Sequence, residues 1–351
     1  MATPWYANRE MVKRALDSAE TARNNPRIDR ALESATTSIN RLLRRPHGLY
    51  PTVATKSWPW PNQQYARPWR LWLEENTLIT ATTVTSGGIV IPATDYFLEP
   101  VNSGPPFDCL ELDLSSTAGF STDGTPQRAI DIAGVYGHTN VETPAGALAE
   151  ALDATETGVD VTDAAAIGVG DLIRVDSERM VVTGKTMLDT GQNLQTSMAA
   201  DMAVTTVAVS TGTGFAVDEI ILIDSERMLV VDIAGNNLTV KRAWDGSVLA
   251  AHTAPTADIY APRTLTVERG SLGTTAATHS SSAAINRWVP PPLTPQLAIA
   301  EAIVDLEAQS SGYAGKRGSG DSERDPAGGT IDDLRHRVCR AYRRKLLIGA
   351  V

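Results

Sequence analysis

VGDLIRVDSERMVV, residues Val169 to Val182, recurs as VDEIILIDSERMLV, residues Val217 to Val230, at an offset of 48. The same offset carries Val159 and Val161 onto Val207 and Val209. A second correspondence overlaps the first: Leu238-Thr239-Val240, Arg242, Gly246, Ala250 and His252 return 27 residues later as Leu265-Thr266-Val267, Arg269, Gly273, Ala277 and His279. In each copy an alternating apolar run leads into Asp-Ser-Glu-Arg-Met and then a β-branched run, the pattern of a hairpin with DSER at its turn. Two copies are fewer than the three or so a solenoid needs, so the pattern predicts a compact duplicated all-β domain over 139–288. Read blandly, DSER is a polar turn. A carbohydrate, metal or partner site is the sharper alternative, but an adjacent Asp and Glu without further clustered ligands gives little to hold an ion.

Charge separates this region from its flanks. Residues 139–288 hold 19 acidic and 9 basic residues, which accounts for the whole net charge of -10, while the remaining 201 residues hold 22 of each. An acidic body argues against generic DNA binding, because affinity for the phosphate backbone comes mainly from Lys and Arg displacing counterions.

The flanks read differently. Asn8 is placed to cap a helix carrying Met11, Val12, Ala15, Leu16 and Ala19, and Asn24-Asn25-Pro26 stops it. A second helix follows, with Ile28, Leu32, Ala35, Ile39, Leu42 and Leu43 on one face, Arg41, Arg44 and Arg45 at its C-terminal end, and Pro46 closing it. Residues 47–72 interleave Pro51, Pro59, Pro61 and Pro68 with Trp58, Trp60, Trp69 and Trp72. Such a segment is not regular helix. Its four indoles are candidates for burial in the core and for a subunit interface, since Trp is enriched at both. Short strand-like runs from Leu71 to Ala133, separated by Gly, Pro and Ser, predict a small antiparallel sheet. The predicted fold class is therefore α+β, helices packed beside a small antiparallel sheet, with the duplicated all-β domain inserted.

The expected divisions are a core over 1–138, the acidic insertion over 139–288 looping outward, and C-terminal helices over 289–351 that rejoin the core. In the last part Thr294 and Pro295 start a helix, residues 310–330 have linker composition, and a basic helix follows. Arg335, Arg337, Arg340, Arg343, Arg344 and Lys345 give residues 331–351 a net charge of +4, opposite an apolar face of Leu334, Val338, Ala341, Tyr342 and Leu346; they are read as a solvated helix face or as candidate contacts for an acidic partner, with DNA contact as the third alternative.

Catalytic motifs are absent or broken. Gly184-Lys185-Thr186 ends like a phosphate-binding loop, but Arg179 stands where its first glycine belongs. Gly168-Val169-Gly170 lacks the third glycine of a dinucleotide site and reads as a turn. His47, His138, His252, His279 and His336 show no metal-ligand spacing, and Cys109 and Cys339 form no disulfide framework. The expectation is a non-enzymatic protein without cofactor or metal. No run of about 18 apolar residues is present to cross a bilayer, and Met1 to Asn8 lack the basic-then-apolar order of a secretory signal. A soluble protein that stays in the cell where it is made is expected.

The order of elements, with the Ile28 to Leu43 helix, RLWLEE at Arg70 to Glu75, Asp95-Tyr96-Phe97-Leu98-Glu99-Pro100 and AIDIAGVYG at Ala129 to Gly137, resembles the head-to-tail connector (adaptor) family of tailed bacteriophages. The likeness covers the roughly 200 residues outside the duplicated region. Its GDxIxxDSERMxVV and LTVxRxxxGxxxAxH phrases are similar to β insertions in some connectors. The resemblance implies a dodecameric ring in the virion neck, assembled in the host cytoplasm. Such a ring binds the portal's narrow end, carries a stopper or tail-completion protein below, and passes DNA through its lumen without reading its sequence. The alternative is a tail or baseplate component whose duplicated β domain binds a ligand as an adhesin does.

Overall fold

The computed structural model describes residues 2–16, 24–61, 67–310 and 328–343. Helix α1 (Arg9–Leu16) begins where Asn8 Oδ1 accepts the Met11 amide at 2.9 Å, the N-cap expected from the sequence. Helix α2 (Asn25–Leu42) buries Ile28, Leu32, Ala35 and Ile39, spaced by three and four, and its chain reverses through Arg44 in the left-handed region. Exposed Glu33, Ser34, Thr37 and Ser38 form its outer face.

Residues 52–136 form two facing antiparallel sheets. Their strands are β1 (Thr52–Trp58), β2 (Arg70–Trp72), β3 (Leu78–Ser86), β4 (Ile89–Ile91), β5 (Tyr96–Glu99), β6 (Cys109–Leu112) and β7 (Ile130–Tyr136), in the orders β1-β7-β3-β4 and β2-β6-β5. Between them lies a core of Trp58, Trp60, Leu71, Leu78, Leu110, Ile130 and Ile132 to which no helix contributes. Strand β7 alternates strictly between buried and half-buried positions, so one face fills this core.

The third sheet spans β8 (Glu142–Ala147), β9 (Gly158–Asp160), β10 (Leu172–Val175), β11 (Glu178–Asn193), β12 (Thr206–Ala208), β13 (Ile220–Ile223), β14 (Glu226–Ala234), β15 (Asn237–Lys241), β16 (Asp258–Glu268) and β17 (Ala284–Trp288). Its order is β12-β15-β14-β13-β16-β11-β10-β17-β8, with β9 on β16. Helices α3 (Thr294–Ser310) and α4 (Gly328–Tyr342) complete the chain.

The expected fold class is corrected here. The protein is mostly β, with three antiparallel sheets and, among the described residues, four helices. Nor do the helices pack beside the small sheet. Leu32 and Ile39 of α2, Leu297 and Ala302 of α3, and Ile331 and Val338 of α4 share a core with Leu172, Val181 and Trp288 of the ten-stranded sheet. The physical reason is that periodicity identifies an apolar face but not the face it meets. The strands of residues 52–136 close on each other, leaving the helices to cover β10, β11 and β17. Helices from the two ends of the chain do converge, α2 against α3.

The two repeat offsets also resolve into one event. Copy one consists of β9, β10, the start of β11, the end of β16, and β17; copy two consists of β12, β13, β14, β15 and the start of β16. The pairings match: Val159 faces Leu265 as Val207 faces Leu238, and Val175 faces Ile285 as Ile223 faces Ile259. The cores match too. Val159, Ile173, Met180, Val182, Leu265, Val267 and Ile285 of the first correspond to Val207, Ile221, Met228, Val230, Leu238, Val240 and Ile259 of the second. Copy two is therefore inserted in the connection between β11 and β16 of copy one. One shift of +48 before the insertion and one of -27 after it are what such nesting produces. The long β11–β16 ribbon joins the copies, and β16 serves both.

Glycines seat the neighbouring segments. The Trp5 ring lies against Gly170, where an added Cβ would stand 2.1 Å from it, and the Trp5 amide donates to the Gly170 carbonyl at 2.8 Å. The Val53 amide donates to the Leu272 carbonyl at 2.9 Å, joining β1 to the loop after β16.

Candidate functional site

In each copy the hairpin turn is shorter than DSER. Val175 pairs with Glu178, so Asp176-Ser177 is the connection, with Asp176 in the left-handed region at φ 49°; Asp224 repeats this at φ 52°. Asp tolerates that conformation. Glu178 is then the first residue of the returning strand and is fully buried, beneath the loop that runs from Arg269 to His279.

Five donors converge on the Glu178 carboxylate. They are Arg269 Nε at 2.7 Å and Nη2 at 2.8 Å, the Gly270 amide at 2.9 Å, the Ala277 amide at 3.0 Å, and His279 Nε2 at 2.8 Å. Copy two is the same: Glu226 receives Arg242 Nε at 2.7 Å and Nη2 at 2.8 Å, the Ala243 and Ala250 amides at 2.9 Å each, and His252 Nε2 at 3.0 Å. The other imidazole nitrogen meets the turn aspartate, His279 Nδ1 to Asp176 at 2.8 Å and His252 Nδ1 to Asp224 at 2.6 Å. Arg269 donates its remaining protons to the carbonyls of Asp153, Glu156 and Ala277, which uses its five-donor capacity.

The electrostatics follow. Burial works to raise the Glu178 carboxyl, but the hydrogen bonds from Arg269, His279, Ala277 and Gly270 outweigh it and hold the group at about 2. Glu226 is likewise held at about 2 against the effect of burial, by Arg242, Ala250, His252 and Ala243. Chemically the arrangement is closed. Both nitrogens of each imidazole face carboxylates, and each glutamate is saturated with donors, so neither offers a lone pair to a substrate or an ion. Among the described residues no group of three or more His, Cys, Asp or Glu side chains is arranged to hold a metal. The bland reading of DSER as a polar turn is thus incomplete: Asp-Ser is the turn, and Glu locks a loop.

The other singled-out residues fall as follows. Trp58 and Trp60 are buried in the chain's own core, with Trp60 against Phe120 at 5.0 Å, whereas Trp69 and Trp72 are half-buried and Arg70 lies over the Trp72 ring. Lys185 donates to the carbonyls of Ala164 and Ile167 at 2.8 and 2.7 Å, and burial lowers its pKa; its role is internal. Both cysteines are free thiols. His138 is half-buried, set edge-on to Tyr342 at 5.4 Å, and burial followed by Arg45 lowers its pKa to about 4.

Helix α4 packs on α3, and its C-terminal end meets that of α2: Cys339 Sγ reaches the Leu42 carbonyl at 4.0 Å and Arg45 Nε donates to the Tyr342 carbonyl at 3.2 Å. Arg335 pairs with Glu301 of α3 at 2.8 Å and with Asp332 at 3.1 Å. Arg337, Arg340 and Arg343 are exposed; Arg344 and Lys345 lie outside the described residues, as does most of the 310–330 stretch. Beside this end is a cavity of about 480 Å³ lined by Trp5, Asn40, Arg41, Arg44, Arg45 and Tyr50.

The arrangement defines a β-rich scaffold with two internally locked loops and an arginine-rich helical end. Comparison with family models, with curated proteins and with solved structures returns no match for this chain.

Proposed function

We propose that the chain is a non-enzymatic structural protein of a tailed-bacteriophage virion. In this reading it is a neck subunit that forms a ring adaptor between the portal and the stopper or tail proteins. It assembles in the host cytoplasm, and DNA passes through the lumen of the ring. The observation that carries the reading is the packing of α2 on α3 and of α3 on α4. Two helices precede a Trp- and Pro-rich crossing and an antiparallel sheet, and the C-terminal helices return to the N-terminal ones, the element order in which the sequence resembles connectors. The donor-saturated interior of both locked loops supports a scaffold over a catalyst. Among the described residues no helix is long and apolar enough to cross a membrane.

Electron microscopy of the chain mixed with a portal ring tests the proposal. A ring of the chain stacked on the portal's narrow end is expected. Failure to bind any portal of the phage that encodes it would overturn the reading.

A further inference from the structure

We propose that the arginine-rich end of the α2–α4 pair docks on the acidic β region of a second copy of this chain, a head-to-side contact. Arg41, Arg44, Arg337, Arg340 and Arg343 are all exposed, and among the described residues none of them has a carboxylate within ion-pair distance. Arg337 and Arg340 share one face of α4, since a step of three residues turns a helix by about 300°, and Arg343 follows directly after its last residue. Arg41 lies in the last turn of α2 and Arg44 just past it, and the Cys339–Leu42 and Arg45–Tyr342 contacts bring that end beside the last turn of α4. Some cation enrichment at helix C-termini is ordinary. Five unpaired arginines at one end of a chain with net charge -10 exceed what two macrodipoles call for.

The complementary surface is on the same molecule but elsewhere. Around each locked loop stands a rim of exposed carboxylates: Asp153, Glu156 and Asp176 in copy one, Asp201 and Asp224 in copy two. Arg269 holds the Asp153 and Glu156 carbonyls, and Arg242 Nη1 donates to the Asp201 carbonyl at 3.5 Å, so nesting has duplicated the acidic rim along with the fold. A molecule with a group of unpaired arginines at this helical end and its whole net charge in residues 139–288 is complementary to its own kind. No further partner is needed to satisfy either surface. A contact between two different surfaces is heterologous, and it closes into a ring when the rotation per subunit divides a full turn. The inference rests on the ring reading only for that closure; the contact itself follows from the charges.

Sedimentation velocity on the full-length chain is the test, at low ionic strength and at about 1 M salt, where the screening length falls to about 3 Å. Concentration-dependent association that salt abolishes is expected. Arg337→Glu together with Arg340→Glu is expected to weaken it about tenfold or more, and so is Asp153→Lys together with Asp201→Lys. Mixing the two charge-reversed chains is expected to restore association between them. A chain that stays monomeric at low salt up to its solubility limit overturns the contact, as does association indifferent to both reversals. Retention of duplex DNA that is lost in the arginine variant, with self-association unchanged, would assign the patch to nucleic acid and overturn the proposal as well. Thermal denaturation of each variant separates a lost contact from a lost fold: the arginine variant is expected at the wild-type midpoint, and the aspartate variant somewhat below it but still cooperative, because Asp153 and Asp201 also accept amides of their own turns. Binding to a portal can survive every one of these failures, so the ring reading is judged apart.

Discussion

Arg269 and Glu178 meet through two parallel hydrogen bonds of 2.7 and 2.8 Å although 91 residues separate them, while Arg242 and Glu226 make the same pair across only 16. The geometry is one and the chain separation is two, because a whole folded unit occupies the connection in the first case. A buried Arg–carboxylate pair is a weak source of net stability compared with apolar packing, but removing one partner strands the other. Here the stranded group would take the loop with it, since the same carboxylate also holds two loop amides and a histidine.

Glu226→Gln is therefore expected to destabilise the chain by about 3 kcal/mol or more, and Glu178→Gln by a similar amount. Trp244 is buried in the loop over Glu226, so its indole resonance reports copy two on denaturation. The double variant Glu226→Gln with Arg242→Met is expected to lose less than the two single losses added, because neither charge is left alone.

The pH dependence has a definite sign. Both glutamates are held at about 2 in the folded chain, below the roughly 4.3 of an unfolded glutamate. A group with a depressed folded value contributes its stability in full above the unfolded value and loses it as pH falls toward the folded one. The melting temperature is thus expected to fall between about pH 5 and pH 2 from these groups. In the Glu178→Gln, Glu226→Gln variant, which starts lower, the decline over that interval is expected to be shallower.

Gly270 and Ala243 occupy equivalent places and share the left-handed backbone, φ 58° and 51°. Alanine is disfavoured there by roughly 1 kcal/mol or more, partly offset by the freedom glycine adds to the unfolded chain. Ala243→Gly is expected to raise the melting temperature and Gly270→Ala to lower it. An added Cβ at Gly270 would also sit 3.1 Å from the Ala276 amide nitrogen.

Much of this was legible from residues and some was not. The two hairpins, the Asn8 cap and the α2 stripe follow from local spacing and are found as expected, although the turn is Asp-Ser and not the whole of DSER. The role of Glu178 was hidden because its partners lie 91 to 101 residues away, and nothing local marks a glutamate beside a turn as buried. One signal could have exposed it. The residues shared by the two overlapping repeats include Asp, Glu, Arg and His, and taking the offsets +48 and -27 as one insertion brings those four together in each copy. The packing of the helices was out of reach for another reason: Leu172 and Val181 look like any strand residues, and only the assembled sheet shows that their side faces α2 and α3. For Trp58 and Trp60 the core alternative holds in the folded chain, the aromatic bulk filling the space between the two small sheets.

Copy two is a complete unit seated within one connection of copy one. Excising residues 187–263 and joining Thr186 to Thr264, which face each other across the β11–β16 ribbon, through a two-residue Asn-Gly turn tests it directly. A folded chain with a cooperative thermal transition is expected. Its Trp288 indole should still be protected by the Thr139 carbonyl it now meets at 3.0 Å, and its midpoint should be lowered by the loss of the Lys13–Asp245 and Arg14–Asp218 pairs. A chain that loses its cooperative transition, or whose Trp288 indole exchanges freely with solvent, would show that the two copies fold only as one body and contradict the nesting.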